Sequence, residues 1–316
     1  MSTAPRLSIG LPVYNGEDYL AESLDALLGQ SFGDFELIVS DNASTDRTEE
    51  ISRDYAKLDS RVRYVRQPVN IGCAPNHNYC VDVARGELFK WASDDDLYAR
   101  DLLERCVEAL DEHPEFVLSH SWTAMIDEKG VVTQALEYPL NTVSPHAAER
   151  FRSTLFAPGG DDDGAVIRTE VLRRVAPLDS YHHADRTIIS ELALHGPFHQ
   201  VPDWLYFRRD HPGRSEHEHP TVRRRATNLD PKRADKLRHP MIRLLGEYVL
   251  GYVNAIRNAP ITGAEKRECF RYLRQWALNR AGNPAMGRMP VQAEAETGPR
   301  EVSVVSVVAG QEGRVP

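Results

Sequence analysis

The sequence lacks several features that would place it in common functional classes. Its 316 residues contain no apolar run near the length of about 20 residues that a membrane-spanning helix needs. The formal net charge of −9 argues against broad nucleic-acid binding, which requires a basic surface. No glycine-rich phosphate loop follows the first predicted strand, which disfavours dinucleotide oxidoreductases. The hydrophobic content of 41% is typical of a globular protein.

Cysteine is also scarce. The four cysteines show no paired, metal-type spacing, and Cys80 and Cys106 lie within apolar helical patterns. Buried free thiols are therefore favoured over a disulfide or a zinc site. The first six residues lack the long apolar stretch of a secretory signal, so we expect a cytoplasmic protein.

The first 120 residues alternate between strand and helix patterns. Strands are predicted near residues 7–13, 35–40, 62–66, 88–92 and 116–121, and helices near 20–28, 51–58, 76–84 and 102–110. Ser44 or Thr45 is expected to cap the second helix. Repeated strand–helix–strand units predict an α/β fold, with a mostly parallel central sheet and helices on both faces.

The remainder is less regular. A strand leading into a helix is predicted over 166–175, a helix around 188–193, and two short strands at 198–201 and 204–208. We expect an α/β domain over 1–215, a small C-terminal helical region over 216–282 with helices at 240–257 and 263–281, and a flexible tail over 283–316. Within that tail, residues 302–308 could instead add an edge strand.

Three polar clusters follow predicted strands: Tyr14-Asn15, Asp41-Asn42 and Asp94-Asp95-Asp96. Ligands of open α/β sheets bind outside the carboxyl ends of the strands, so the clusters should meet at one edge. Three consecutive carboxylates are costly unless a positive charge neutralises them, and a divalent cation bound to a diphosphate would do so. A solvated turn or a first helical turn is the alternative for the triplet.

Four segments in this order carry a resemblance to a known family. They are Leu11-Pro12-Val13-Tyr14-Asn15-Gly16-Glu17, Val39-Ser40-Asp41-Asn42-Ala43-Ser44-Thr45-Asp46, Asn70-Ile71-Gly72 and Trp91-Ala92-Ser93-Asp94-Asp95-Asp96. The chain resembles the family 2 glycosyltransferases of the GT-A fold over approximately residues 6–215. The resemblance implies an inverting enzyme that binds a nucleotide-sugar and a divalent metal, Mn²⁺ or Mg²⁺.

The same resemblance assigns roles on the donor side. It implies that Asp41 accepts the base N–H and that Asp94 contacts the ribose or the sugar. Alignment on Leu97 puts Ser93 in the first acidic slot and Asp95 in the metal slot, with Asp96 as the other metal candidate. The full set of residues implied to bind the nucleotide-sugar is Pro12, Tyr14, Asn15, Glu17, Asp41, Asn70, Asp94 and Asp95.

On the acceptor side, Ala184-Asp185-Arg186 and the helix up to Gly196 resemble the family's catalytic segment. The family has a Glu-Asp pair there; Ala184 replaces the Glu, and Asp185 keeps the position of the general base, which would take a proton from the acceptor hydroxyl. His182 and His183 are rival bases that could instead line the acceptor cleft. The acidic loop 161–163 is a weaker candidate.

The segment 208–213 resembles the family's end-of-domain motif, whose His implies that His211 is a metal ligand. Arg208, Arg209 and Arg214 could pair with phosphate oxygens or lie on a solvated strand. His217-Glu218-His219 is interpreted as a surface loop, because its spacing is undefined.

The expected partners are a UDP-, dTDP- or GDP-linked sugar and a hydroxyl-bearing acceptor, which could be a glycan, a lipid-linked molecule, a peptide or a small molecule. A sugar nucleotidyltransferase and a non-catalytic nucleotide-sugar-binding protein are the alternative functions. The C-terminal helices carry an apolar stripe that includes Leu244, Leu245, Tyr248, Val249 and Tyr252. Packing onto the α/β domain is its first interpretation; a homodimer or peripheral membrane contact are alternatives.

Overall fold

The computed structural model describes residues 4–137, 140–156 and 164–282. Nine strands form one sheet within these ranges: β1 Leu7–Val13, β2 Phe35–Asp41, β3 Val62–Arg66, β4 Leu88–Trp91, β5 Leu97–Tyr98, β6 Leu118–Ile126, β7 Val132–Leu136, β8 Val166–Arg168 and β9 Phe198–Arg209. The α-helices are α1 Leu20–Leu28, α2 Thr48–Leu58, α3 Cys73–Val83, α4 Leu102–Glu112, α5 Ala147–Phe156, α6 Thr169–Leu172, α7 Ala184–His195, α8 Ser215–Glu218, α9 Val222–Leu229, α10 Met241–Asn258 and α11 Gly263–Gly282, with a 3₁₀ turn at Pro231–Ala234.

The strand order is β3-β2-β1-β4-β8-β6-β9-β5, with β7 paired to β6. Strands β1 to β4 pair in parallel, as do β6 and β9, while β5, β7 and β8 pair antiparallel to their neighbours. The predicted α/β fold is confirmed. Strands β1 to β4 form the parallel half of the sheet. They lie in the first hundred residues, where strand and helix patterns alternate.

Helices cover both faces of the sheet. Ile9 of β1 and Leu37 of β2 pack with α1, α2 and α4 on one face. Phe89 and Trp91 of β4 pack with α3, α6 and α7 on the other. Buried apolar side chains on both sides make the sheet the centre of the core.

The two long C-terminal helices pack onto the α/β domain. Tyr252 and Ile256 of α10, with Leu273 and Trp276 of α11, form a cluster with Phe151 of α5, and Leu194 of α7 joins it. Packing is thus confirmed for the inner side of the apolar stripe. No helix among the described residues is both long and apolar enough to cross a membrane.

Several predicted boundaries need correction. The two short strands predicted at 198–201 and 204–208 are one strand, β9, and the strand predicted at 116–121 continues to Ile126 as β6. The pairing of β6 with β9 shifts register after Ser121. This shift accommodates Pro202, which has no N–H for the ladder, and lets β9 continue.

Two local predictions are also wrong. Neither Ser44 nor Thr45 caps α2, which begins at Thr48; the Asp46 carboxylate accepts the Thr48 N–H at 3.0 Å instead. The segment predicted as a surface loop at 217–219 is partly helical, since α8 ends at Glu218, and His217 Nε2 lies 2.7 Å from Asp210. Both local structures depend on a carboxylate that the sequence pattern did not single out.

The cysteines are free, as predicted, and Cys80, Cys106 and Cys269 are buried. Burial raises the pKa of the Cys80 thiol to about 12 and that of Cys106 to about 11. A thiol that stays protonated at neutral pH is a poor nucleophile and metal ligand, so these side chains act as small core residues.

Candidate active site

The three polar clusters meet at one edge of the sheet. The ends of β1 and β2 are aligned, with Val13 opposite Asp41, and β4 ends beside β1, where Trp91 lies opposite Gly10. Asn42 N also donates to Val13 O at 2.8 Å. The parallel arrangement therefore collects the loops after β1, β2 and β4 in the place where sheets of this kind bind ligands.

Hydrogen bonds join the loops after β1 and β2. The Asn15 N–H donates to Ser44 Oγ at 2.9 Å, and Asn15 Oδ1 accepts from Thr45 N at 2.8 Å. The Glu17 carboxylate accepts from Arg47 N at 3.0 Å. Asn15 and Glu17, both predicted to bind the nucleotide, therefore have side-chain oxygens that already hold the neighbouring loop.

Asp41 is fully buried below these loops. One carboxylate oxygen accepts from Ser44 N at 2.7 Å, and the other accepts from Tyr64 Oη at 2.7 Å and Arg66 Nη1 at 2.6 Å. A carboxylate has about four lone-pair sites, so three donors leave room for one more. The predicted base N–H would have to be that fourth donor.

The rim of this edge is exposed. Tyr14 is 47% exposed and Pro12 is half-buried, which leaves an aromatic ring beside the end of β1. Asn70 Oδ1 accepts from Asn42 Nδ2 at 3.1 Å and from Gly72 N at 2.9 Å. Tyr14 thus presents its ring at the surface, whereas the amides of Asn42 and Asn70 shape the loop after β3.

Asp94 lies against the loop after β1. A Cβ on Gly16 would overlap the Asp94 carboxylate and contact Val13 at 2.7 Å. Only glycine allows this close approach between the loop and the triplet. Ser23 Oγ, on α1, donates to Ser93 O at 2.7 Å and fixes the start of the acidic segment.

Asp95 faces the end of β9. Its Oδ2 is 3.0 Å from His211 Nε2 and 3.6 Å from Arg214 Nη1, and its Oδ1 accepts from Ser93 Oγ. The Asp95 and His211 side chains are 16% and 13% exposed, so each is largely enclosed and still reachable. The Tyr19 ring packs against the imidazole at 4.8 Å. Two predicted metal ligands are therefore side by side.

Asp96 points the other way, into the protein, with no exposed surface. It accepts from Tyr206 Oη, from Arg209 N at 2.9 Å and from Arg214 Nη1 at 3.2 Å. These protein donors occupy both carboxylate oxygens. Of the two metal candidates in the triplet, the contacts favour Asp95.

Arg209 was expected to pair with phosphate oxygens or to lie on a solvated strand, but its side chain is buried in the protein. Its side chain is 1% exposed and donates to Asp95 O at 2.8 Å, Glu128 O at 2.9 Å and Glu22 Oε2 at 2.6 Å, while it lies over the Tyr19 ring. These contacts connect the acidic segment to α1 and to β9, the strand that carries Arg209. Arg214 is also enclosed, whereas Arg208 is half-buried.

The surroundings give the three carboxyls different pKa values. Burial, reinforced by the charge of Asp95, raises the pKa of Asp94 and that of Asp96. Burial also acts to raise the pKa of Asp95, but the His211 hydrogen bond and the Arg214 charge outweigh it and lower the pKa. The surroundings therefore favour the charged form at Asp95 and disfavour it at Asp94 and Asp96.

The donor set around Asp95 fits a divalent cation that is completed by a substrate. No cluster of three or more His, Cys, Asp or Glu side chains suited to a metal occurs in the described ranges. Magnesium-type sites often use one or two carboxylates plus substrate phosphates rather than a full protein cage. Asp95 Oδ2 and His211 Nε2 are 3.0 Å apart, which is a hydrogen-bond distance and also the separation of two ligands at right angles, each about 2.1 Å from an ion.

Asp185 lies in the first turn of α7 and is exposed. The helix ends at His195, just before β9 starts, and β9 runs parallel to β6. Strand β8 is antiparallel to both β6 and β4, so β9 also runs parallel to β4. Twelve helical residues span about 18 Å, which is enough for a helix antiparallel to β9 to reach back to the edge where β4 ends.

The rival bases precede Asp185. His183 has a left-handed backbone with φ of 66°, and its ring stacks with that of His182 at 3.6 Å and lies 5.3 Å from Tyr248. The two rings thus lie beside each other, next to α10. The candidate loop 161–163 lies outside the described residues.

A cavity of about 490 Å³ lies between α7, α10 and the segment before α7. Tyr181, Ala184, Glu191 and Glu247 are among its lining residues, and none of the acidic triplet is. Glu191 is 4% exposed, and burial raises its pKa. The space adjoins Ala184, the residue that precedes Asp185.

Bacterial relatives match part of this chain. EpsE of Bacillus subtilis, whose name provisionally calls it a glycosyltransferase, is 33% identical over 132 residues, or 42% of this chain and 48% of that protein. An uncharacterized glycosyltransferase of Rickettsia typhi is 34% identical over 127 residues, 40% of this chain and 39% of that protein. The match thus spans half or less of these relatives.

Solved structures share the fold. S. aureus TarS in complex with UDP-GlcNAc has a TM-score of 0.64 at 19% identity, covering 91% of this chain and 76% of that one. The mannosyltransferase PcManGT from Pyrobaculum calidifontis, in complex with GDP-Man and Mn²⁺, has a TM-score of 0.52 at 18% identity, covering 91% and 84%. The fold is therefore GT-A, as predicted.

A family model decides the assignment. The model described as Glycosyl transferase family 2 matches residues 8–176, which is more than half of the chain and includes the loops after β1, β2 and β4. This chain belongs to glycosyl transferase family 2.

Proposed function

We propose that this protein transfers a sugar from a nucleoside-diphosphate sugar to an acceptor hydroxyl, with inversion at the anomeric carbon. The observation that carries the proposal is the pairing of Asp95 with His211 at the sheet edge, beside Asp94 and the exposed ring of Tyr14. Relatives named as glycosyltransferases and neighbours solved with UDP-GlcNAc or GDP-Man support the substrate class.

The donor would lie across the ends of β1, β2 and β4. Tyr14 offers a ring for stacking on the base, and the one lone pair left on Asp41 suits a base N–H. Asp94 lies close to the loop after β1, where it can accept from ribose or sugar hydroxyls. Of these three groups, Asp41 is already held in position by hydrogen bonds from Ser44, Tyr64 and Arg66.

Asp95 and His211 are the residues that would hold Mn²⁺ or Mg²⁺. When bound there, the cation would supply positive charge to the oxygens of the departing diphosphate. Arg214 Nη1, at 3.6 Å from Asp95, adds fixed positive charge to the same place. Asp96 and Arg209 position this group without reaching the substrate, because both are buried and bonded to protein.

Asp185 is proposed as the general base. It is exposed in the first turn of α7, and a helix that runs antiparallel to the strand after it would have this turn near the edge where β4 ends. From there it would accept the proton of the acceptor hydroxyl as the oxygen attacks the anomeric carbon. One displacement opposite the leaving group inverts that carbon, and no covalent intermediate on the protein is needed.

The alternatives make different products or none. A sugar nucleotidyltransferase would release pyrophosphate, whereas the proposed reaction releases a nucleoside diphosphate. A protein that only binds nucleotide-sugars would release neither, and Ala184 in place of the family's Glu is the feature that favours it. Replacing Asp185 distinguishes the proposed reaction from a protein that only binds nucleotide-sugars.

We predict that Asp185→Asn retains donor binding and loses turnover by about 100- to 10,000-fold, because the amide cannot take the proton. Asp82→Asn, on an exposed turn of α3, is the matched control and should behave as wild type. Donor affinity is read by calorimetry and turnover by nucleoside diphosphate release in the presence of acceptor. Unchanged turnover in Asp185→Asn would remove this base assignment.

A further inference from the structure

Helix α10 carries large apolar side chains in its first turns that the described residues leave exposed. Leu244, Tyr252 and Ile256 are buried against the domain, whereas Ile242 is 82% and Leu245 55% exposed in the first turns of the helix. Positions three and four apart lie on the same face of a helix, so Val249 continues this row. We call this surface the outer patch; its members are Leu237, Met241, Ile242, Leu245 and Val249.

The outer patch lies within the most basic part of the chain. Residues 222–243 contain eight Lys and Arg and two Asp, in a chain whose net charge is −9. The exposed cations of this segment are Arg224, Lys232, Lys236, Arg238 and Arg243. Two of them also contact carboxylates, Arg238 at 3.6 Å from Asp235 and Arg243 at 2.8 Å from Glu247. Large apolar side chains thus lie beside a local excess of positive charge.

We propose that the outer patch binds the surface of an anionic lipid bilayer, with the first turns of α10 at the interface. Ile242, Leu245 and Val249 would enter the boundary between headgroups and acyl chains, and Lys236 and Arg238 would remain among the headgroups. Each cation near an anionic surface strengthens binding about fivefold. Two attractions of different kinds therefore act on the same surface.

Charge favours a bilayer over a second copy of this chain. A two-fold dimer through the outer patch would bring the same surface of each copy together. The basic segments 222–243 would then face each other, and like charges across an interface oppose association. An anionic bilayer meets both the apolar and the basic part of the patch.

The docking surface stands whether or not the proposed reaction is correct. If the reaction is correct, the surface also bears on the acceptor. Tyr248 of α10 lies 5.3 Å from the His183 ring, just before the turn that carries Asp185. A bilayer at the first turns of α10 would therefore bind the same helix that contacts this turn, which suits an acceptor carried by a lipid.

Flotation with lipid vesicles tests the proposal on the full chain. The protein is mixed with vesicles of phosphatidylcholine alone, or of phosphatidylcholine with phosphatidylglycerol, at low and high salt. We expect binding to the phosphatidylglycerol vesicles, much weaker binding to phosphatidylcholine, and loss of binding as salt screens the charges. Equal binding to both vesicles, or no binding to either, would overturn the proposal without the use of any variant.

Variants then locate the surface. Ile242→Ser should weaken vesicle binding about tenfold, because it removes one large apolar side chain from the interface. The control is Leu58→Ser, since Leu58 is 85% exposed at the end of α2, outside the patch. The double variant Lys236→Glu, Arg238→Glu should weaken binding at least about 25-fold. Its control is Arg100→Glu, Lys129→Glu, which changes exposed cations elsewhere by the same charge.

Donor binding and melting temperature, measured on each variant, confirm that the fold is kept. Equal loss in the patch variants and their controls would contradict the location. A wild-type dimer in analytical ultracentrifugation that Ile242→Ser dissociates would show that a second copy covers the patch, and would also contradict the proposal. Loss of sugar transfer with intact vesicle binding would count against the proposed reaction alone.

Discussion

Adjacent carboxylates repel one another, and in this chain three consecutive ones have different neighbours. Asp94 lies against Gly16, Asp95 faces His211, and Asp96 accepts hydrogen bonds inside the protein. At the scale of single residues, this division leaves Asp96 inside the protein and Asp95 partly exposed, where a ligand could reach it.

The Gly16 position allows a direct test on the donor side. We predict that Gly16→Ala keeps the fold and weakens nucleotide-sugar binding at least about tenfold, because the new Cβ displaces the Asp94 carboxylate. Gly33→Ala is the control, since a Cβ there meets nothing within 4 Å. Calorimetric titration with the donor gives the affinity. Wild-type affinity in Gly16→Ala would show that Asp94 does not contact the donor.

The sequence could locate the triplet, and the family resemblance assigned Asp94 to the donor and Asp95 to the metal, with Asp96 as the other metal candidate. The strand pattern before Asp94 and the run of acids are local signals. The partners that separate Asp95 from Asp96, which are Tyr206, Arg209 and Arg214, come from more than a hundred residues further along the chain. The buried contacts of Arg209 were not predicted for the same reason, since they depend on the tertiary fold.

At the scale of elements, α10 is fixed by the helix it packs against. Gly251 faces the Tyr181 hydroxyl and Thr187 of α7. A Cβ at Gly251 would overlap that hydroxyl. Gly246, on the same helix, has open space around its Cβ position. Two glycines in one helix therefore have different reasons to be there.

We predict opposite effects for alanine at these two positions. Gly251→Ala should lower the free energy of unfolding by about 1–2 kcal/mol, because overpacking outweighs the gain in helix propensity. Gly246→Ala should raise it by up to about 1 kcal/mol, because only the propensity changes. Urea unfolding followed by circular dichroism measures both. A destabilised Gly246→Ala, or a stabilised Gly251→Ala, would contradict the packing of α10 on α7.

Periodicity predicted most elements, and its errors have physical causes. The two long C-terminal helices are where their apolar spacing put them, at Met241–Asn258 and Gly263–Gly282. Strand β9 was divided in two because Pro202 normally ends a strand, and the register shift opposite it could not be foreseen. The start of α2 depends on one carboxylate, that of Asp46, among several polar residues that could have capped it.

At the scale of the whole molecule, one sheet joins two differently built halves. The parallel half, β1 to β4, carries the loops that would bind the donor, and the mixed half brings β9 and His211 back to the same edge. The candidate site is complete only where the two halves meet. Local patterns in the sequence describe each half, and their meeting depends on the long-range pairing of β5 with β9 and of β6 with β8 and β9.

Release of nucleoside diphosphate from a panel of UDP-, dTDP- and GDP-sugars, with and without Mn²⁺, tests the central claim most directly. We predict release from at least one donor, dependent on the metal, and a loss of about 100-fold or more in Asp95→Asn. Asp82→Asn should release as wild type does. Release from no donor under either condition, or undiminished release in Asp95→Asn, would contradict a metal-dependent sugar transfer centred on Asp95 and His211.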